Sequence, residues 1–235
     1  MNKKIILELA QVEKLFPHPR GPVFALKNIS FAVEPGETLA IIGVSGAGKS
    51  TLLHLLGALD SPTAGSLVFE GQDFAQLGAP ALAEIRNRRI GFVFQFHHLL
   101  PEFDALENVM VPALIARKNE KEASERAGKI LVELGLEDRM HHRLGELSGG
   151  EQQRVAVARA VMLEPSLVLC DEPTGNLDAQ TGKKVEDLLL ELNRKKNLTL
   201  VIVTHNEDLA RRMKRVIRLF NGEIVSDQKT AGTKV

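Results

Sequence analysis

Tryptophan and tyrosine are absent from the 235-residue chain, so its ten phenylalanines supply all of its aromatic surface. A single cysteine, Cys170, excludes an internal disulfide or a Cys-rich metal site and makes a reducing setting the expectation. Net charge is missing as well: 30 Lys+Arg are cancelled by 30 Asp+Glu. That balance excludes a chain that holds nucleic acid or an anionic membrane by bulk charge, so no nucleic-acid partner is expected. Long apolar runs are lacking too. After Met1-Asn2-Lys3-Lys4 only Ile5-Ile6-Leu7 precedes Glu8, short of the roughly 7–15 apolar residues of a secretory signal. No run approaches the roughly 18 residues of a membrane span, so the expectation is a chain that neither crosses a membrane nor is exported on its own signal. What is present, 44% apolar and 26% charged residues without repeats or low-complexity tracts, suits an ordinary globular α/β protein.

Short β-type runs come first: Ile5–Leu7, Ala25–Val33 and Thr38–Ile42, with Pro35-Gly36 turning between the last two. Thr51–Leu59 reads as an apolar helix broken by Ser61-Pro62-Thr63-Ala64-Gly65, and Ser66–Phe69 as a strand. Ala81–Arg89 then looks helical and Ile90–Phe94 strand-like. From Asp104 to Leu136 the pattern is helical, opened by the capping-box spacing of Asp104 and Glu107. Pro112 should kink or divide this segment, and Gly135 caps a second amphipathic stretch, Glu120–Leu134. From Gly150 a helix runs to Leu163, followed by strand Leu167–Cys170, helix Asp178–Lys195, strand Leu200–Thr204, and a final helix and strand. Such alternation implies a parallel sheet covered by helices, with the stretch near 96–147 inserted into it. From Ser226 the chain is polar and expected to fray.

Gly43-Val44-Ser45-Gly46-Ala47-Gly48-Lys49-Ser50 fits G-x-x-x-x-G-K-[ST]. Glycines let the backbone wrap phosphate oxygens with successive N–H groups, and the helix that follows adds the positive end of its dipole. The candidate nucleotide-binding set is Gly43, Ser45, Gly46, Ala47, Gly48, Lys49, Ser50 and Thr51. Lys49 reaches the β- and γ-phosphates, and the Ser50 hydroxyl ligates Mg²⁺. A strand, Leu39-Ala40-Ile41-Ile42, immediately before the loop and a helix immediately after it supply the context the motif requires.

Nucleotide hydrolysis also needs a metal carboxylate and a group that activates water. Asp171 and Glu172 end the apolar run Leu167-Val168-Leu169-Cys170, at the strand end where open α/β sheets bind ligands. Asp171 suits the metal and Glu172 the general base, while Cys170 reads as a small buried hydrophobe. A second glycine-bearing loop, Leu147-Ser148-Gly149-Gly150-Glu151-Gln152-Gln153-Arg154, opens another helix and lacks a lysine. One complete and one partial phosphate site invite two copies head to tail, each lending its partial site to the other's nucleotide.

In this order, Gly43–Ser50, Leu147–Arg154 and Leu167–Glu172 resemble the Walker A, signature and Walker B motifs of ATP-binding cassette (ABC) proteins, over essentially the whole chain. The resemblance implies a P-loop ATPase with a RecA-like, mostly parallel sheet core, an N-terminal antiparallel β subdomain and an inserted helical subdomain. It implies a core of about 1–95 and 148–225, a helical subdomain of about 96–147 and a polar tail, 226–235. Gln95 falls at the Q-loop position, contacting metal and water; Asn176-Leu177-Asp178 resembles the D-loop; His205 resembles the switch histidine on the γ-phosphate. Ser148, Gly149, Gly150 and Gln152 would bind the other copy's nucleotide. Family members usually stack adenine on an early tyrosine; Phe16 stands at the matching place here.

Asp171-Glu172-Pro173-Thr174-Gly175-Asn176-Leu177-Asp178 resembles the branch containing lipoprotein-release, macrolide-export and cell-division ATPases. Phe94-Gln95-Phe96-His97-His98-Leu99-Leu100-Pro101-Glu102-Phe103, Ser50-Thr51-Leu52-Leu53-His54-Leu55-Leu56-Gly57 and Asn193-Arg194 look like the lipoprotein-release members. The resemblance therefore implies ATP and Mg²⁺, a homodimer, two transmembrane subunits of LolC/LolE type, a lipoprotein load, and a peripheral place on the cytoplasmic face of a bacterial inner membrane. A P-loop kinase is disfavoured by the signature loop and His205, and a DNA-repair ABC ATPase by the absence of a long coiled-coil or zinc insertion. The pairs His97-His98 and His141-His142 lack the carboxylate or thiol company of a metal site, and Arg86–Arg89 and Arg211–Arg215 read as solvated faces.

Overall fold

A computed structural model describes residues 4–19 and 21–230. In chain order its elements are β1 (Leu7–Phe16), β2 (Val23–Val33), β3 (Thr38–Ile42), α1 (Lys49–Leu56), β4 (Ala64–Phe69), β5 (Gln72–Asp73), α2 (Ala79–Arg88) and β6 (Ile90–Phe94). They continue as α3 (Ala105–Ile115), α4 (Glu120–Glu133), α5 (Gly149–Ala160), β7 (Leu167–Asp171), α6 (Ala179–Lys196), β8 (Thr199–Thr204), α7 (Glu207–Arg212), β9 (Arg215–Phe220) and β10 (Glu223–Lys229). The chain forms two compact units, residues 1–83 with 199–235 and residues 84–198.

The first unit holds an antiparallel sheet in the order β2-β1-β4-β5 and, separately, the strand order β10-β9-β3-β8. β3 lies parallel to both β8 and β9, and every residue of β3 and β8 is buried, as expected of parallel strands covered on both faces. β1 is much longer than the expected Ile5–Leu7. Leu7 and Leu9 are buried in alternation, but the phase breaks at Gln11, whose φ is 52°, and the register against β2 shifts before Val12. That bulge, with the Gln11 N–H donating to Ser30 Oγ at 2.8 Å, disguises one strand as a mixed polar stretch.

The chain's end also departs from expectation. Ser226 to Lys229 do not fray: they belong to β10, which pairs antiparallel with β9, and Arg215 grips Asp227 through two hydrogen bonds of 2.7 and 2.6 Å. Edge strands are polar on both faces, so composition alone reads as a tail. Residues 231–235 lie outside the described residues.

In the second unit β6 and β7 pair in parallel, and α5 packs on β6, α3, α4 and α6. Asp104 caps α3 with the expected capping box; Pro112 lies inside α3, and the division between α3 and α4 comes later, after Ile115, where Asn119 caps α4. Gly135 follows the end of α4 with φ 68°, as a C-terminal glycine should. α1 and α5 end at Leu56 and Ala160, three residues before the expected Leu59 and Leu163.

Buried Asn108 ties the loop before α3 to that helix. Its Oδ1 accepts from the Leu100 N–H at 2.8 Å, and its Nδ2 donates to the carbonyls of Leu100, Phe103 and Asp104. Replacing Asn108 with leucine keeps the volume but removes these part-buried hydrogen bonds, leaving only the main-chain bond from the Asn108 N–H to the Asp104 carbonyl. The expected cost is about 1–3 kcal/mol, read as a lower thermal midpoint with faster proteolysis between Leu99 and Asp104.

Candidate functional site

The fully buried β3 delivers the chain to Gly43 at its carboxyl end, and Ile42 is in register with Thr204 of β8. Gly43 and His205, the next residue on each strand, therefore leave the sheet at the same edge. Beyond that point the loop is held by main chain. A Cβ on Gly43 would lie 2.4 Å from the Leu219 carbonyl oxygen, and one on Gly48 would lie 2.4 Å from that of Ala25. The Gly222 N–H donates to the Ala47 carbonyl at 3.1 Å. Gly48 also needs its left-handed φ of 99°, and it opens α1 without a side-chain cap, so the helix amides face the loop. Lys49 Nζ arches back over the loop to the carbonyls of Gly43 at 2.9 Å and Val44 at 3.2 Å. Ser50 and Thr51 occupy the first turn of α1.

In the second unit Phe94 of β6 is in register with Asp171 of β7, so Gln95 and Glu172 follow adjacent strand ends. Gln95 and Asn176 form a reciprocal amide pair: Gln95 Nε2 donates to Asn176 Oδ1 at 2.8 Å, and Asn176 Nδ2 donates to the Gln95 carbonyl at 3.1 Å. Glu172 turns the chain with a φ of 45°, and its carbonyl accepts from the Gly175 N–H at 3.0 Å. Burial, with the Asp171 charge beside it, pushes the Cys170 thiol far above its ordinary pKa, which suits a packed hydrophobe.

The signature segment is a capped helix start. Ser148 Oγ donates to Glu151 Oε2 at 2.8 Å, and the Ser148 N–H reaches the same oxygen at 2.7 Å. A Cβ on Gly150 would meet Thr181 Cγ2 at 2.3 Å, so any larger residue there would have to displace the Thr181 side chain of α6. Gln152 Nε2 is engaged by the carbonyls of Leu144 and Leu147, at 2.9 and 3.0 Å.

Phe16 ends β1 opposite Val23, which is two residues from the Ala25 carbonyl that abuts Gly48, and the residue is 42% exposed. His97 and His98 take part through their main chain. Their carbonyls accept from Arg159 Nη2 at 2.7 Å and Nη1 at 2.6 Å, and both residues have positive φ. Burial, then the charges of His98 and Arg159, holds the His97 imidazole below its ordinary pKa. His141 Nδ1 lies 3.1 Å from Asp104 Oδ2. Reading the motifs missed Arg159 and the partnership of Asn176 with Gln95. Arg159 had a visible signal, a lone cation in the small apolar run Val155-Ala156-Val157-Ala158-Arg159-Ala160.

A strand, a glycine loop with its lysine and an uncapped helix start define a P-loop nucleotide-binding protein. The ABC transporter family profile matches residues 26–175. The chain is 54% identical to the lipoprotein-releasing system ATP-binding protein LolD of Syntrophus aciditrophicus (strain SB), over 94% of this chain and 99% of that one. The LolD of Geobacter metallireducens (strain ATCC 53774 / DSM 7210 / GS-15) is likewise 54% identical, with the same coverage. The dimeric post-hydrolysis structure of the ATP-binding cassette MJ0796, bound to ADP and Pi, superimposes with a TM-score of 0.88 at 39% identity, covering 97% of this chain and 100% of that one. The chain belongs to the ABC transporter family, as its ATP-binding, ATP-hydrolysing cassette.

The hydrogen bonds from Ser148, opposed by some burial and helped by Arg139, hold the Glu151 carboxyl below its ordinary pKa. Because the folded value is depressed, this contribution is present above the ordinary glutamate range and is lost as pH falls through the folded value. Thermal midpoints measured from pH 6 down to pH 3 should therefore fall more steeply for the parent than for Glu151→Gln, which keeps the capping acceptor without the titration.

Proposed function

We propose that the chain drives release of acylated lipoproteins from the inner membrane toward the outer membrane. In this reading it sits on the cytoplasmic face, held by two transmembrane subunits of LolC/LolE type. The observation that carries the chemistry is the P-loop, with left-handed Gly48 on the Ala25 carbonyl and Lys49 arched over the loop. For the load, support comes from the 54% identity to the two LolD proteins. No described helix is long and apolar enough to cross a membrane.

Organisation follows the same reading: a core of about 1–95 and 148–225, a helical subdomain of about 96–147 that meets the membrane subunits, and a polar tail, 226–235, whose first residues complete β10.

Two copies close head to tail over two nucleotides. In each site Phe16 stacks on adenine while Gly43, Ser45, Gly46, Ala47, Gly48 and Thr51 line the phosphates with main chain and hydroxyls. Lys49 exchanges its loop carbonyls for β- and γ-phosphate oxygens. Ser50, Asp171 and Gln95 offer the oxygen donors that a hard divalent ion takes jointly with phosphates. Mg²⁺, when bound, neutralises triphosphate charge. Glu172 accepts a proton from the water whose oxygen attacks the γ-phosphorus, Gln95 orients that water, and His205 donates to the γ-phosphate as its bond to the β-γ bridging oxygen breaks. The other copy contributes Ser148, Gly149 and Gly150, with Gln152 bracing their loop.

Glu172→Gln should bind ATP normally, lose about 10²–10⁴-fold in turnover and accumulate as a nucleotide-bound dimer by size-exclusion chromatography. Hydrolysis at the parental rate would refute the general-base assignment. Affinity purification from detergent-solubilised membranes should recover two lipoprotein-release membrane subunits; recovery of a division-site protein instead would overturn the load.

A further inference from the structure

Beside the proposed adenine platform stands a cation that none of the motifs includes. Lys14, two residues before Phe16 on β1, places Nζ over the Phe16 ring, 5.1 Å from its centroid. The Lys14 side chain is only 12% exposed, an unusual position for a lysine. Its ammonium is held there by two further groups: Asp60 Oδ1 at 2.6 Å and the Ser61 carbonyl at 2.8 Å.

The anchor is itself fixed. Asp60 Oδ1 also accepts from the Ser61 N–H at 2.7 Å, and the neighbouring Leu59 N–H donates to the carbonyl of His54, in the last turn of α1, at 2.9 Å. The segment is then stitched to β1: Leu15 N–H donates to Thr63 Oγ1 at 3.0 Å and Thr63 N–H to the Glu13 carbonyl at 2.8 Å. Burial works against the Asp60 carboxylate, but the hydrogen bonds from Lys14 and Ser61 prevail and hold its pKa below the ordinary value. Thus the carboxylate that anchors the Lys14 ammonium stays charged at neutral pH. The helix that begins with Lys49 at the phosphate loop ends where this anchor begins.

We infer that Lys14, anchored by Asp60 and Ser61, is a positioning residue for nucleotide binding that backs one face of the Phe16 ring and leaves the opposite face for adenine. This rests on Phe16 being the adenine platform. A cation on one face draws the ring's electron density toward it and fixes the ring's orientation, while Phe16 as a residue stays 42% exposed and so remains accessible to a flat partner. Because the anchor lies at the end of α1, the base platform and the phosphate loop are spaced by one hydrogen-bonded framework within the first unit. Lys14 touches neither substrate nor reacting atoms, so its effect belongs to affinity for the base and not to the chemical step.

Inorganic triphosphate, which lacks a base, separates the possibilities. Lys14→Met keeps the stem and removes the charge. Measured by competition against a fluorescent nucleotide, it should weaken ATP binding about 2- to 5-fold, the size expected of a cation–π contact at a half-exposed ring. Affinity for inorganic triphosphate should stay at the parental value, and KM for ATP should rise with kcat held. Phe16→Ala should also weaken ATP selectively, and adding Lys14→Met to it should cost nothing more. If Phe16→Ala weakens ATP and Lys14→Met does not, the role of Lys14 is refuted while the platform stands. If Phe16→Ala leaves ATP affinity unchanged, the platform itself is refuted. Equal loss of ATP and triphosphate in Lys14→Met refutes positioning in favour of a general structural role. Should Lys14→Met fold poorly, Asp60→Asn, which loosens the ammonium without removing it, should give a smaller loss selective for ATP; an unselective loss would again refute the inference.

Discussion

Main chain packed against main chain is the constraint on which the nucleotide site depends. Apart from Lys49, whose ammonium bonds the Gly43 and Val44 carbonyls, the phosphate loop takes its shape from main chain. It is pressed against the carbonyls of Leu219 and Ala25 at positions where no Cβ fits, and the Gly222 N–H holds the Ala47 carbonyl. Those three contacts come from β9, β2 and the turn before β10, which explains why the polar strand β10 matters: it fixes the turn that fixes the loop. A preorganised cradle of N–H groups costs no reorganisation when an anion arrives. The glycines of the motif thus serve two purposes, backbone conformation and close approach, and Gly48 serves both.

In the second unit the comparable role falls to α5. Its first residue follows the Ser148 cap, its middle offers Gln153 Nε2 to the Phe94 carbonyl at 3.4 Å, and Arg159 near its end grips His97 and His98. A helix of this length spans about 18 Å. One rigid element therefore fixes both the signature serine and the segment after Gln95. The reciprocal pairing of Gln95 with Asn176 adds a second tie, from that segment to the turn that follows Glu172. Neutral amides make such a tie cheap to exchange for water, whereas the half-buried guanidinium of Arg159 makes two charge-assisted bonds of the stronger kind.

Much of this was legible in the residues because the elements that matter carry local signals. The phosphate loop, the Asp104 and Ser148 caps and the buried runs of β3, β7 and β8 each announce themselves by spacing or by uninterrupted apolarity. Where the reading fell short, the information was nonlocal. The phase of β1 is broken by a bulge at Gln11 that only its pairing with β2 explains. β10 has an edge strand's composition and is held by Arg215, twelve residues earlier. Pro112 suggested a break that the helix did not need, since a proline interrupts a single hydrogen bond and α3 ends shortly afterwards by its own termination. Among candidate site residues, those proposed to act through side-chain chemistry carry their signal in the motifs. Those that act by holding another residue, such as Lys14, Asn108 and Arg159, depend on who their neighbours are.

The grip of Arg159 on His97 and His98 has a consequence for how freely this surface can be rewritten. The arginine holds two carbonyls, which every amino acid possesses, so the path of the segment does not depend on imidazole rings. What the left-handed φ values of 39° and 49° disfavour are β-branched residues and proline. Phe96 just before them projects with 69% of its surface exposed. Chain path and side-chain identity are thereby decoupled. The segment can exchange its outward vocabulary, one residue at a time, over an unchanging grammar of backbone bonds.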